Sequence, residues 1–297
     1  MGKNLVEHLS GTSGKYSVSA FLRAELDLMD PAAVSAKFQA CRPEVVIHCA
    51  SVGGSRGTGY QDTSGEVVYR NLAMFFNVER ALPEGTRLIS FGSGAEYDRR
   101  AYKPKMPESY FDSSVPADPY GYSKYLISKY IARDPRIVSL RIFGLYGKYE
   151  DYRFKFISNA VVKNLLGLPI RINQNVLFDY LWIGDFLRIV ERFVAEDPPE
   201  RAYNLTPDSP VSLLELAGIV AGTAAAHSGI EVINAGMNAE YSGENSRLRG
   251  FLGPFDFTPH SKAIPLLREY YSGAMETLDK AAVREDKFLN YCRTKPA

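Results

Sequence analysis

The amino-acid sequence predicts an α/β fold built on a parallel sheet. Two apolar runs carry this reading, Glu44–Ala50 (EVVIHCA) and Arg87–Phe91 (RLISF), short and aliphatic as buried parallel strands are. Each runs directly into Ser or Gly, so each leaves a loop of small residues at its carboxyl end. The third observation is the run Tyr120-Gly121-Tyr122-Ser123-Lys124 behind Pro119, which opens an apolar-periodic helix. Strands alternating with helices give parallel units, and open α/β sheets place ligands off the carboxyl ends of their strands.

Taken in order, Gly2–Leu9 reads as a helix and Gly11-Thr12-Ser13-Gly14 as its C-terminal turn. Tyr16–Phe21 alternates apolar and polar residues and is predicted as a strand. Asp30-Pro31 caps a short helix through Ala40. Glu44–Ala50 is the next strand, followed by the loop Ser51-Val52-Gly53-Gly54-Ser55-Arg56-Gly57-Thr58-Gly59, whose place at a strand end suits binding. A long amphipathic helix spans about Ser64 to Leu82, and the strand Arg87–Phe91 closes on Gly92-Ser93-Gly94-Ala95-Glu96. After the Tyr120 helix, Arg136–Ile142 is a strand and Phe143–Gly147 a turn. Ala202–Leu205, a helix over Ser212–Ala221 and Glu244–Leu248 follow, and the tail after Ala274 is helical and charged.

Composition sets bounds. The chain has 297 residues, 45% hydrophobic and 23% charged, with a formal net charge of +1, so neither nucleic acid nor an anionic membrane surface is indicated. Cys41, Cys49 and Cys292 have no metal-type spacing and suit structural thiols in a reducing, cytoplasmic compartment. The four histidines do not cluster, and His48, inside an apolar strand, reads as a core residue. No apolar run approaches the ~20 residues that span a bilayer.

Tyr120 and Lys124 lie four residues apart and so share a helix face. An ammonium beside a phenol favours the phenolate and suits the phenol to exchange a proton with a carbonyl or an alcohol. The spacing alone also fits an amphipathic helix with a solvated lysine, and Tyr125 with Lys129 repeats it. Ser93, closing the preceding strand, narrows the choice. A strand-end serine followed by Tyr-x-x-x-Lys in the context Pro-Tyr-Gly-Tyr-Ser-Lys resembles the short-chain dehydrogenase/reductase superfamily. The likeness is to its extended branch of nucleotide-sugar epimerases, dehydratases and reductases, and runs from Gly2 to about Tyr271.

That resemblance implies a Rossmann-type doubly wound parallel sheet with a smaller C-terminal substrate-binding lobe. It divides the chain into a dinucleotide-binding domain at 1–148 and, at 149–297, the last sheet elements interleaved with the lobe. It implies Ser93, Tyr120 and Lys124 as catalytic residues, NADP or NAD as cofactor, a nucleotide-sugar substrate and a homodimer packed through the Ser64–Leu82 and Tyr120 helices. For the cofactor it indicates Gly2, Arg23, Asp27, Leu28, Cys49, Ala50, Ser51, Asn71, Ile142 and Phe143, with Tyr120 and Lys124. Arg23 stands where NAD-preferring relatives have an acid, which leans toward NADP. For the substrate it indicates Ser93, Gly94, Arg153, Lys155, Asn159 and Arg247.

Departures from the family pattern are also legible. The family's first strand and Gly-x-x-Gly-x-x-Gly turn are represented only by Gly2, so Tyr16–Phe21 and Glu44–Ala50 are expected to face one another with unpaired edges. Gly144 stands where many relatives have Asn, and Phe178 where they have Arg. Gly94-Ala95 replaces the Asp-Glu pair of dehydratases, and Ala95 also replaces the Glu of decarboxylating relatives and the Cys of GDP-fucose synthases. Glu96 is expected to point to the opposite side of an extended segment. Reduction of a 4-keto nucleotide sugar is the reading that remains, with C4 epimerisation through bound NAD as its alternative. A non-catalytic dinucleotide or nucleotide-sugar binding protein is the reading from another class.

Overall fold

A computed structural model describes residues 1–53, 65–223 and 228–292. The loop expected to follow Gly53, Gly54 to Gly59, lies outside them, as does His227. The first elements are α1 (Gly2–Ser10), α2 (Pro31–Cys41), β1 (Val45–His48), α3 (Glu66–Arg80), β2 (Arg87–Ser93), α4 (Pro119–Ile131) and β3 (Ile137–Ile142). There follow β4 (Leu145–Tyr146), α5 (Phe156–Leu165), β5 (Ile170–Asn175), β6 (Leu177–Phe178), β7 (Leu181–Trp182), α6 (Ile183–Ala195) and β8 (Ala202–Leu205). The chain continues through β9 (Val211–Ser212), α7 (Leu213–Ala221), β10 (Ile230–Met237), α8 (Ser246–Leu252), α9 (His260–Gly273) and α10 (Lys280–Glu285).

The central sheet has the order β1-β2-β3-β8, with all neighbours parallel. Its side chains alternate between two covers, as the pleat requires. Leu88 and Ile137 pack with Val34, Phe38, Phe75, Val78, Ile127 and Ile131 under α2, α3 and α4. Ile89, Phe91, Val138 and Leu140 pack with Leu5, Phe186, Val190 and Phe193 under α1 and α6. The register aligns Ser93 with Ile142 and Ile142 with Leu205, so these three residues stand side by side at the carboxyl edge. A third apolar cluster joins α5, β5, α7, α9 and α10, with β10 parallel to β5.

The strand predicted at Tyr16–Phe21 is not one. These residues form no ladder, although Tyr16 and Val18 stay half-buried between exposed neighbours. Alternation marks a segment lying on a surface, but a strand also needs a neighbour to pair with. Among the described residues β1 is an edge strand, bonded to β2 alone. No helix among them is long and apolar enough to cross a membrane, and no group of His, Cys, Asp and Glu could hold a metal.

Candidate active site

The serine at the end of β2 is fixed by its own backbone. Ser93 Oγ accepts the N–H of Ala95 at 3.1 Å, which turns the chain into a short 3₁₀ turn over Gly94–Glu96 and leaves the hydroxyl proton free to donate outward. Glu96 folds back to accept the N–H of Ser93 at 2.9 Å, closing a reciprocal capping box. The turn overrides the alternation expected of Glu96, which is buried beneath the serine and paired with Arg141 at 2.7 Å.

Helix α4 starts where its sequence says it should. Asp118 accepts the Gly121 N–H at 2.8 Å, and Pro119 occupies the first turn. Its buried stripe runs through Lys124, Ile127, Ser128 and Ile131 at helical spacing, so the lysine is drawn under the sheet edge. Lys124 Nζ donates to Phe91 O at 2.9 Å and lies 5.8 Å from the centre of the Tyr120 ring. Burial lowers its pKa to about 8, with Glu96 and Cys49 opposing that shift. Tyr120 is half-buried one turn earlier, beside Gly53.

The second Tyr-x-x-x-Lys copy has a different fate. Tyr125 and Lys129 both bind Asp112, the latter at 2.5 Å, and so tie the helix to the preceding loop. Asn71 in α3 accepts the Val52 N–H at 2.8 Å and donates to Val52 O and to Ser123 Oγ, fastening the end of the β1 loop to α4. His48 is buried, and burial followed by the Lys124 charge pushes its pKa down to about 3, so the imidazole is neutral.

Cys49, Ala50, Ser51, Ile142 and Phe143 gather with Ser93, Tyr120 and Lys124 along the carboxyl edge, and Gly2 meets Cys49 from the start of α1. Arg23 is exposed and 3.9 Å from Asp27, and Leu28 O accepts from Asn77. Among the substrate candidates, Gly94 is overhung by Phe143 and Tyr241, Arg153 pairs with Asp151, and Lys155 immediately precedes α5 without a side-chain cap bond. Asn159 is buried within α5. Arg247 reaches to 3.7 Å from Glu200, which precedes β8 and so lies at the opposite end of the sheet from Ser93.

The departures at Gly144 and Phe178 occupy one place. A Cβ on Gly144 would meet Asp179 O at 2.6 Å and the Phe178 ring at 2.8 Å, so the ring and backbone of β6 and its turn fill the space of the missing side chain. Asp179 is wholly buried there, with Oδ2 accepting the Gly243 N–H at 2.7 Å and Oδ1 without a partner. Burial raises its pKa to about 7. A raised carboxyl pKa gives stability that is present below its ordinary value and lost as pH rises through about 7. Asp179→Asn should therefore melt several degrees above the unmodified protein at pH 8 and level with it near pH 4, a difference read from thermal melts.

The chain belongs to the NAD dependent epimerase/dehydratase family, whose sequence profile matches residues 1–206. It is accordingly a member of a family of NAD-dependent enzymes. The fold is shared with a GDP-mannoheptose C4 reductase from Campylobacter jejuni with NADP bound, at 19% identity and a TM-score of 0.75 over 91% of this chain and 95% of that one. A GDP-L-fucose synthetase from Naegleria fowleri bound to NADP is 17% identical, with a TM-score of 0.79 over 94% and 91%. A UDP-glucose 4-epimerase from Thermotoga maritima with UDP-glucose is 16% identical, with a TM-score of 0.71 over 92% and 96%. Comparison with curated proteins finds no match.

The residues present fit a nicotinamide cofactor. The N-terminus of α1, without a side chain at Gly2 and without an acid in its first turn, meets the end of β1. Buried Lys124 gives one hydrogen bond to Phe91 O and has further donors for hydroxyl oxygens.

Proposed function

We propose that the protein reduces the 4-keto group of a nucleotide sugar. The observation that carries this reading is the Ser93/Tyr120/Lys124 set on the carboxyl edge of the sheet, in a turn with no acid at Gly94 or Ala95 and with Glu96 committed to Arg141. Ser93 Oγ, already accepting from Ala95, donates its proton toward the C4 oxygen. Tyr120 gives its phenolic proton to that oxygen as the carbonyl becomes an alcohol. Lys124 offers its ammonium to ribose hydroxyls and stabilises the phenolate left on Tyr120. The hydride comes from the nicotinamide.

Cys49, Ala50, Ser51, Ile142 and Phe143 line the cofactor in this reading, and Asn71 holds Val52 beside them. Arg23 takes a 2′-phosphate, which favours NADPH, and Arg153 and Lys155 face the diphosphate from the lobe built on α5. The half 1–148 then holds the cofactor, and 149–297 the last sheet elements interleaved with the substrate-binding lobe. Tyr69, Val115 and Tyr122 expose large apolar surface around a groove of about 330 Å³ beside α3 and α4, which supports a homodimer through these helices. Three free cysteines, one of them exposed, support a cytoplasmic setting.

A panel of nucleotide 4-keto sugars tests the reading by loss of NADPH absorbance. Loss with at least one of them is expected. No loss with any, together with interconversion of C4 epimers, would make the enzyme an epimerase instead. Incubation with nucleotide hexoses should give no 4-keto-6-deoxy product by mass spectrometry, because neither Gly94 nor Ala95 is an acid and Glu96 is held by Arg141 rather than free to protonate a departing hydroxyl.

A further inference from the structure

We propose that Glu96 is a positioning residue of this site: anchored by Arg141, it holds Ser93 at the end of β2 through its backbone. The proposal deepens the reductase reading and rests on it for the role of Ser93.

The geometry is that of a built device. Glu96 is 1% exposed and Arg141 2% exposed. One carboxylate oxygen accepts the Ser93 N–H at 2.9 Å, and the other accepts Arg141 Nε at 2.7 Å. Arg141 is sandwiched between the rings of Phe111 at 4.4 Å and Tyr97 at 5.2 Å and donates to Tyr97 Oη at 3.0 Å. Tyr97 donates in turn to Asn204 Oδ1 at 2.8 Å, and Asn204 Nδ2 donates to Met106 O and Glu244 O. A continuous buried chain of hydrogen bonds thus runs from the serine across β3 to β8 and the loop beyond it. Room for the carboxylate is made by Gly92, where a Cβ would overlap Glu96 Oε1 and stand 2.7 Å from Ser139 Oγ.

A buried ion pair is an expensive way to gain stability, since a well-packed apolar pair of similar volume serves as well or better. What an apolar pair could not supply is an acceptor for the Ser93 N–H, which Glu96 provides while Arg141 holds its other oxygen.

Two variants test the proposal. Glu96→Gln keeps an acceptor for the Ser93 N–H and removes the charge. Glu96→Val combined with Arg141→Met removes the pair together, so that no buried guanidinium is left alone and the fold is retained. The double variant should lose roughly tenfold or more in kcat at little change in KM, because Ser93 is no longer held, and Glu96→Gln should keep most of it. The Ser93 amide, read by hydrogen exchange, should stay protected in the unmodified protein and in Glu96→Gln and lose protection in the double variant. A Ser93 amide equally protected and a kcat equal to that of the unmodified protein, in folded double variant, would overturn the proposal. The exchange measurement needs no substrate. If the unmodified protein reduces no 4-keto sugar and the protection still depends on Glu96, the reductase reading falls and the holding of Ser93 stands.

Discussion

Tyr120→Phe is expected to cut turnover by ~10²-fold or more while leaving melting temperature and cofactor affinity near those of the unmodified protein. The substitution removes one oxygen and keeps the ring. The ring's neighbours are retained: Gly53 on the β1 loop, and Lys124 one turn along the same face of α4. Lys124 keeps its bond to Phe91 O, so nothing in the sheet edge has to move. What is lost is the group that exchanges a proton with the C4 oxygen, which a phenylalanine cannot replace. Tyr125→Phe is the internal control. Its hydroxyl binds Asp112 alongside Lys129, so its removal should cost stability of about 1 kcal/mol and leave turnover intact. Steady-state kinetics and thermal melts on the two variants separate the copies. Inactivation by Tyr125→Phe, with Tyr120→Phe active, would assign the chemistry to the other pair.

The sequence carried the positions of Ser93, Tyr120 and Lys124 because each follows from a local rule: a strand ending in small residues, a Pro-led helix start, and a four-residue spacing on one face. The same locality misplaced Glu96. Alternation along an extended chain sends it away from Ser93, but the Ser93 hydroxyl captures the Ala95 N–H and bends the backbone into a turn that returns the carboxylate beneath the serine. Its partner Arg141 is 45 residues further on, and only the pairing of β2 with β3 brings the two together. Gly144 and Phe178 were legible as two separate departures from the family pattern. That one fills the space left by the other depends on β7 pairing with β4, which no local signal announces. Tyr16–Phe21 failed for the complementary reason. Its alternation survives as alternating burial, but the ladder that would make it a strand is a property of its neighbour.

Gly121→Ala should be the most damaging of the small substitutions near the site. The residue sits between Tyr120 and Tyr122 in the first turn of α4, where alanine is ordinarily the better helix former by up to ~1 kcal/mol. Here the side of the helix it occupies is closed. A Cβ would overlap the carbonyl oxygen of Ala95, lie 2.9 Å from Asp118 Oδ2 and 3.1 Å from Pro116 Cβ. Two of these three belong to groups with little freedom to yield. Ala95 is in the turn held by Ser93 and Glu96, and the Asp118 carboxylate is the N-cap that accepts the Gly121 N–H. The helix must therefore back away from the turn, carrying Tyr120 and Lys124 from Ser93. Overpacking of this kind costs roughly 1–3 kcal/mol, more than the gain in helix propensity. A displacement of about 1 Å at the reacting groups is enough for a 10- to 10²-fold loss of kcat/KM. Gly250→Ala is the matched control, because that helical glycine in α8 has open space at its Cβ position and should melt slightly higher with full activity. If Gly121→Ala melts as high as Gly250→Ala and turns over at the unmodified rate, the close approach of α4 to the Ser93 turn does not set the geometry of the site.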